Sequence, residues 1–223
     1  MSLEILKKLS SYFSLHGHKI YLVGGTTRDY LLNRNLTDLD FATDASPSEL
    51  KELFKEEKTP FIHLGSITVK YEGVKVDITC FREEDDYIDY RHPRTLKFIK
   101  SLTKDAARRD FTINAMYLDE NENLYDVYNG IQDLKDKLIR VIGDGEKRFK
   151  EDPLRIVRAI RFALLLDFDI EESTSLSMIK HSGLLLKLTK EKVLNELRKA
   201  KKINEDKYYQ LLRKYNIDEN DFV

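Results

Sequence analysis

Apolar and polar positions change period along the chain, and the changes mark out its elements. Leu3, Ile5, Leu6, Leu9, Tyr12 and Phe13 recur at helical spacing. Ile20, Tyr21, Leu22 and Val23 form an apolar run that stops at Gly24-Gly25, which reads as a short strand, a turn and then a helix through Leu32. Residues 38–42 alternate and read as a second strand. Ser46-Pro47-Ser48-Glu49 has the spacing of a capping box with proline at the first helical position, so a helix starts there. Residues 68–71 and 74–79 flank Glu72-Gly73 and predict a hairpin. Residues 82–94 are densely charged and read as a loop. Beyond about Leu134 the pattern becomes helical, most clearly over 153–166, 190–200 and 206–215. The pattern predicts an α+β chain: a mixed α/β domain over 1–136, then a helical domain over 137–223.

Composition narrows this picture. Of 223 residues, 41% are hydrophobic, enough for a core, and 35% are charged, against a usual share of about 25%. No apolar run approaches the roughly 18 residues of a membrane span. The start, Met1-Ser2-Leu3-Glu4-Ile5, lacks the order of a secretory leader. Cys80 is the single cysteine, which excludes an internal disulfide and a cysteine-based zinc site. A reduced, cytoplasmic setting is expected. The net charge of -1 hides an asymmetry: residues 1–133 carry 18 Lys and Arg against 23 Asp and Glu, and the remainder is net basic. An acidic front can hold metal ions and a basic rear can meet phosphates, although solvated surfaces give the same balance.

Three patterns carry candidate chemistry. Asp38 and Asp40 share one face of their strand, and Asp77 lies on the polar face of another. If those strands are neighbours, three carboxylates converge and repel unless a cation compensates. Such hard oxygen donors suit Mg²⁺, and two ions could serve phosphoryl transfer; an exposed acidic strand edge is the alternative. Gly24 and Gly25 sit where a strand meets a helix, so backbone amides and Arg28 could cradle an anion. Arg155, Arg158 and Arg161 fall within about 120° of one helix face, opposite Ile156, Val157, Ala159, Ile160, Ala163 and Leu164. Left unpaired, they would repel, and a triphosphate or nucleic acid would relieve that. Asp152 could accept from an exocyclic amine while Arg155 donates to a ring nitrogen or carbonyl.

Four segments, LVGGTTRD (22–29), DLDFATDA (38–45), RRDFTINAM (108–116) and EDPLRIVRAIRF (151–162), resemble the bacterial-type tRNA nucleotidyltransferase/poly(A) polymerase family in order and spacing. KEKVLNEL (190–197) resembles a later helix motif, with Lys192 where arginine is usual. The resemblance implies a polymerase-β-like nucleotidyltransferase palm with flanking helices, followed by an all-helical neck. It implies addition of CMP and AMP from CTP and ATP to a tRNA lacking its 3′ end, without a template. Asp38 and Asp40 match the metal-binding pair and Asp77 a third catalytic acid. Gly24, Gly25 and Arg28 match the triphosphate turn, and Arg109 and Asp110 a nucleotide- and ribose-sensing motif. Asp152 and Arg155 match the base-reading pair, and Arg158 and Arg161 further nucleotide contacts. Residues 82–93 match a flexible loop of members that add the terminal A. The long helical body and tail of such proteins are expected to be missing here. No protein partner is evident. Poly(A) synthesis, addition of A alone, a small-molecule acceptor and a silent RNA- or nucleotide-binding module remain alternatives.

Overall fold

The apolar stripe of the first segment folds as α1 (Ser2–Leu15), which buries Ile5, Leu6, Leu9 and Phe13 at 3% exposure or less. These side chains join one core with Ile20, Leu22, Leu39, Phe41, Val76 and Ile78 of a sheet. The computed structural model describes residues 2–36, 39–55, 60–87, 89–90 and 93–223, without the side chains of residues 2, 85, 86 and 93. Asp38, one of the expected metal ligands, lies outside the described residues.

The chain continues through β1 (Ile20–Val23), α2 (Gly24–Leu31), β2 (Leu39–Thr43) and α3 (Pro47–Leu53). The capping box at Ser46 is present in full: the Ser46 hydroxyl accepts from Glu49 N, and the Glu49 carboxylate accepts from Ser46 N. β3 (Ser66–Tyr71) and β4 (Val74–Cys80) form the hairpin, with Glu72 and Gly73 at φ 49° and 84°. Paired positive φ values are what a two-residue hairpin turn requires. β5 (Arg82–Tyr87) and β6 (Pro93–Phe98) pair as a separate two-stranded sheet, which corrects the loop expected over 82–94. Two acids of β5 are partnered: Glu84 takes Arg82 at 2.7 Å and Glu83 takes Lys104 at 2.9 Å. α4 (Leu102–Ala107), β7 (Met116–Leu118) and β8 (Leu124–Asp126) follow.

Six strands form one mixed sheet in the order β3-β4-β2-β1-β7-β8. β2 and β4 are parallel, and every other pair is antiparallel. β2 therefore receives β4 alongside it from well downstream, and this pairing sets the register of the acidic positions.

The remaining elements are α5 (Gly130–Asp136), β9 (Leu138–Ile139), α6 (Gly145–Glu151), α7 (Leu154–Leu166), β10 (Asp169–Ile170), α8 (Glu172–His181), α9 (Lys190–Lys201) and α10 (Glu205–Lys214). The parallel pair β9–β10 interrupts an otherwise helical arrangement. α7 buries Ile156, Val157, Ala159, Ile160, Ala163 and Leu164, the face its periodicity marks as apolar. The chain divides into two compact units. One comprises Met1–Glu84, Thr95–Arg109 and Ile113–Gly130; the other comprises Asp85–Arg94, Asp110–Thr112 and Ile131–Val223. Among the described residues, no helix is long and apolar enough to cross a membrane.

Candidate active site

In the sheet-bearing unit, β2 and β4 are in register so that Asp40 faces Asp77 directly. In-register residues of parallel strands project to the same face. Leu39 and Phe41 point the other way and are buried at 4% and 1%. Asp77 accepts from the Thr68 hydroxyl and lies 3.2 Å from Lys75 Nζ. The Asp40 backbone N–H donates to Thr26 Oγ1 at 2.9 Å, which ties β2 to α2.

β1 ends at Val23, and α2 begins at Gly24 with no side chain capping its first amides. Gly24 has φ 68°, and a Cβ there would lie 3.7 Å from Asp40 Oδ2 and 3.9 Å from Arg109 Nη1. The positive φ open to glycine thus lets the helix start approach an acidic group and a guanidinium closely. A side chain at Gly25 would approach Arg28 Nη2 at 3.4 Å. Arg28 is 3% exposed and already engaged: its Nε and Nη2 donate to Asp29 at 2.9 Å, and its Nη1 donates to Asn114 Oδ1 at 2.8 Å. Its charge is therefore balanced by the adjacent residue.

A cavity of about 250 Å³ opens among Val23, Gly24, Asp40, Ser66, Thr79, Arg82, Arg108 and Arg109. The arginines are held from below by Asp105, which is fully buried. Asp105 accepts from Arg108 Nε at 2.8 Å, Arg109 Nη2 at 3.0 Å and the Tyr117 hydroxyl at 2.6 Å. Burial alone raises the Asp105 pKa, but Arg109, Arg108 and Tyr117 outweigh it and hold the carboxyl at about 2. Arg82, Arg108, Asp105 and Tyr117 are absent from the expected site. The spacing of Asp105 three and four residues before Arg108 and Arg109 is the local signal for them.

The helical unit holds the other candidates. Asp110 Oδ1 accepts from Phe111 N at 2.8 Å and Oδ2 from Arg158 Nε at 2.9 Å. Asp110 raises the Arg158 pKa. Arg161 donates to Glu196 at 2.8 Å and lies 4.4 Å over the Phe162 ring; burial lowers its pKa more than Glu196 restores it. Arg155 is 5% exposed, donates to the Arg148 carbonyl at 2.8 Å and lies 3.3 Å from Glu151 Oε2. Asp152 Oδ1 accepts from Leu154 N at 3.1 Å and so caps the start of α7. Glu151, Asp110 and Glu196 thus offset part of the stripe's charge within the protein, while Arg158 still acts on Arg161 to lower its pKa.

Among the described residues, no three His, Cys, Asp or Glu side chains converge as a metal centre. Asp40 and Asp77 nevertheless fit Mg²⁺ by donor chemistry, as adjacent hard oxygens on one face of the sheet.

Residues 20–140 match the model of the Poly A polymerase head domain family. The chain belongs to this family. Among head-domain relatives, the CCA-adding enzyme of Streptococcus thermophilus is 43% identical over 198 residues, which is 89% of this chain and 48% of that protein. The crystal structure of the Bacillus stearothermophilus CCA-adding enzyme in complex with CTP superposes with a TM-score of 0.85 at 30% identity, covering 95% of this chain and 51% of that one. A tRNA nucleotidyltransferase complexed with a primer tRNA and an incoming ATP analog gives a TM-score of 0.75 at 32% identity, over 97% and 60%. The chain spans about half the length of the curated relatives it matches.

Proposed function

We propose that this chain carries template-independent transfer of CMP and AMP from CTP and ATP to the 3′ end of a tRNA, with release of pyrophosphate. The observation that carries the reading is Asp40 in register with Asp77, beside the Gly24 helix start and the arginine-lined cavity. Its relatives bear the name CCA-adding enzyme, and solved neighbours hold CTP or a primer tRNA with an ATP analog.

In this reading the sheet-bearing unit is the nucleotidyltransferase head. Asp40 and Asp77, with Asp38, hold Mg²⁺. When bound, the ions lower the pKa of the attacking hydroxyl and offset charge on the leaving pyrophosphate. The Gly24 and Gly25 amides, Arg28 and Arg109 hold the triphosphate. The helical unit is the neck. Asp152 accepts from the exocyclic amine that cytosine and adenine share, and Arg155 donates to the pairing edge. The Arg148 carbonyl fixes the plane of the Arg155 guanidinium. Asp110, through Arg158, orients the nucleotide, and Arg161 adds a further contact. The basic stretch 187–202 meets the RNA backbone.

The test is incubation with Mg²⁺, each labelled nucleoside triphosphate in turn and tRNA lacking its 3′ end. CMP and AMP enter, GMP and UMP do not, and the product stops three nucleotides longer. No incorporation by folded protein overturns the reading. The matching family's description supports a second reading, poly(A) synthesis, which gives a ladder from ATP alone.

A further inference from the structure

Arg109 is held by more than an ion pair. Tyr117 stands in β7 opposite Val23, the residue before Gly24, and is fully buried. Its hydroxyl accepts from Arg109 Nε at 2.8 Å and donates to Asp105 Oδ2 at 2.6 Å. The Arg109 guanidinium carbon also lies 5.1 Å from the centre of the Tyr117 ring. Asp105 of α4 takes Nη2, so two of the three guanidinium nitrogens are fixed, one from the sheet and one from a helix. The third, Nη1, is the one placed toward Gly24 and Asp40.

We infer that Tyr117 is a positioning residue for nucleotide phosphates: its hydroxyl fixes the plane of Arg109 so that Nη1 faces the cavity shared with Gly24 and Asp40. This rests on the transfer reading above. An arginine held in one plane loses less freedom when it binds a phosphate than one that must be ordered at that moment. The hydroxyl suits this task because it is both acceptor and donor. It satisfies Nε without adding a second charge beside Asp105. Loss of the hydroxyl leaves the Asp105–Arg109 ion pair in place, so the guanidinium keeps its charge and loses its orientation.

The experiment uses the full chain with inorganic pyrophosphate as probe, titrated by calorimetry in wild type, Tyr117→Phe, Arg109→Ala and the double variant. Tyr117→Phe weakens binding about tenfold, and Arg109→Ala weakens it further. Adding Tyr117→Phe to Arg109→Ala changes nothing more, because the tyrosine acts through the arginine. In turnover, Tyr117→Phe raises KM for the triphosphate with kcat within about twofold. Unchanged pyrophosphate affinity in folded Tyr117→Phe overturns the inference. So does an equal loss in the Arg109→Ala background, which is what a general structural role gives. A wild type that binds no pyrophosphate also overturns it. Failure of the transfer reading shows differently, as wild type that binds pyrophosphate yet incorporates no nucleotide; the binding cycle then still decides the role of Tyr117.

Discussion

The two units use arginine in opposite ways. In the sheet-bearing unit, Arg82, Arg108 and Arg109 are tied to Glu84 and Asp105 and line one cavity together with Asp40. In the helical unit the arginines of α7 meet acids singly: Arg155 meets Glu151, which Arg148 also takes at 2.6 Å, Arg158 meets Asp110 and Arg161 meets Glu196. The first arrangement clusters guanidinium groups at one opening, where a single anion can meet several of them. The second fixes direction, because a guanidinium held by a carboxylate presents its remaining edge in a set plane. Clustered guanidinium groups suit phosphate, and an oriented one suits recognition of a planar base.

The largest expected effect removes the acidic group that shares the cavity with the arginines. Asp40→Ala lowers labelled nucleotide incorporation by about 10³-fold or more, with thermal stability near wild type. Retained incorporation removes Asp40 from metal binding. Next comes a pair of substitutions that sets the two regions against each other. Arg158→Ala removes the Arg158 ion pair from Asp110, 11% exposed, and destabilises by about 2–3 kcal/mol in urea unfolding. Arg109→Ala leaves Asp105 with Arg108 and Tyr117, so it costs about 1 kcal/mol in stability while weakening triphosphate binding more. The reverse order in stability breaks the contrast.

A third test follows from the depressed Asp105 carboxyl. Its folded pKa of about 2 lies below the unfolded value of about 3.9. Its contribution is therefore complete above the unfolded value and is lost as pH falls through about 2. Glu171 is also held at about 2: its burial acts upward and is outweighed by donors from Thr174 and Ser173. It shapes the acid limb in both proteins, so the difference between wild type and Asp105→Asn isolates Asp105. The stability gap measured by urea unfolding narrows from pH 5 to pH 2; a constant gap argues against this linkage. The smallest effect lies outside both arginine sets. Gly73→Ala meets nothing within 4 Å but sits at φ 84°, so it costs about 1 kcal/mol and leaves incorporation unchanged.

What the sequence discloses and what it withholds follow from range. β1, the Ser46 capping box, the Glu72-Gly73 turn and the apolar face of α7 are set by neighbours in the chain, and local pattern reveals them. The i,i+4 pairing of Glu151 with Arg155 is equally local. The partners of Arg158 and Arg161 are not, because Asp110 and Glu196 arrive from distant elements. Alternation puts Asp40 and Asp77 on polar faces, but only the parallel pairing of β2 with β4 makes them neighbours. Residues 82–87 mislead for a related reason: charge density suggests solvent, while Glu83 and Glu84 meet Lys104 and Arg108 from α4 and its C-terminal end.

The division of the chain bears on how such a protein can be taken apart or inherited. The backbone passes from one unit to the other at 84/85, 94/95, 109/110, 112/113 and 130/131. No single cut releases either unit with all of its segments. Recombination at one point cannot exchange one unit and spare the other, and a truncation meant to isolate the sheet takes with it pieces that belong to the helices.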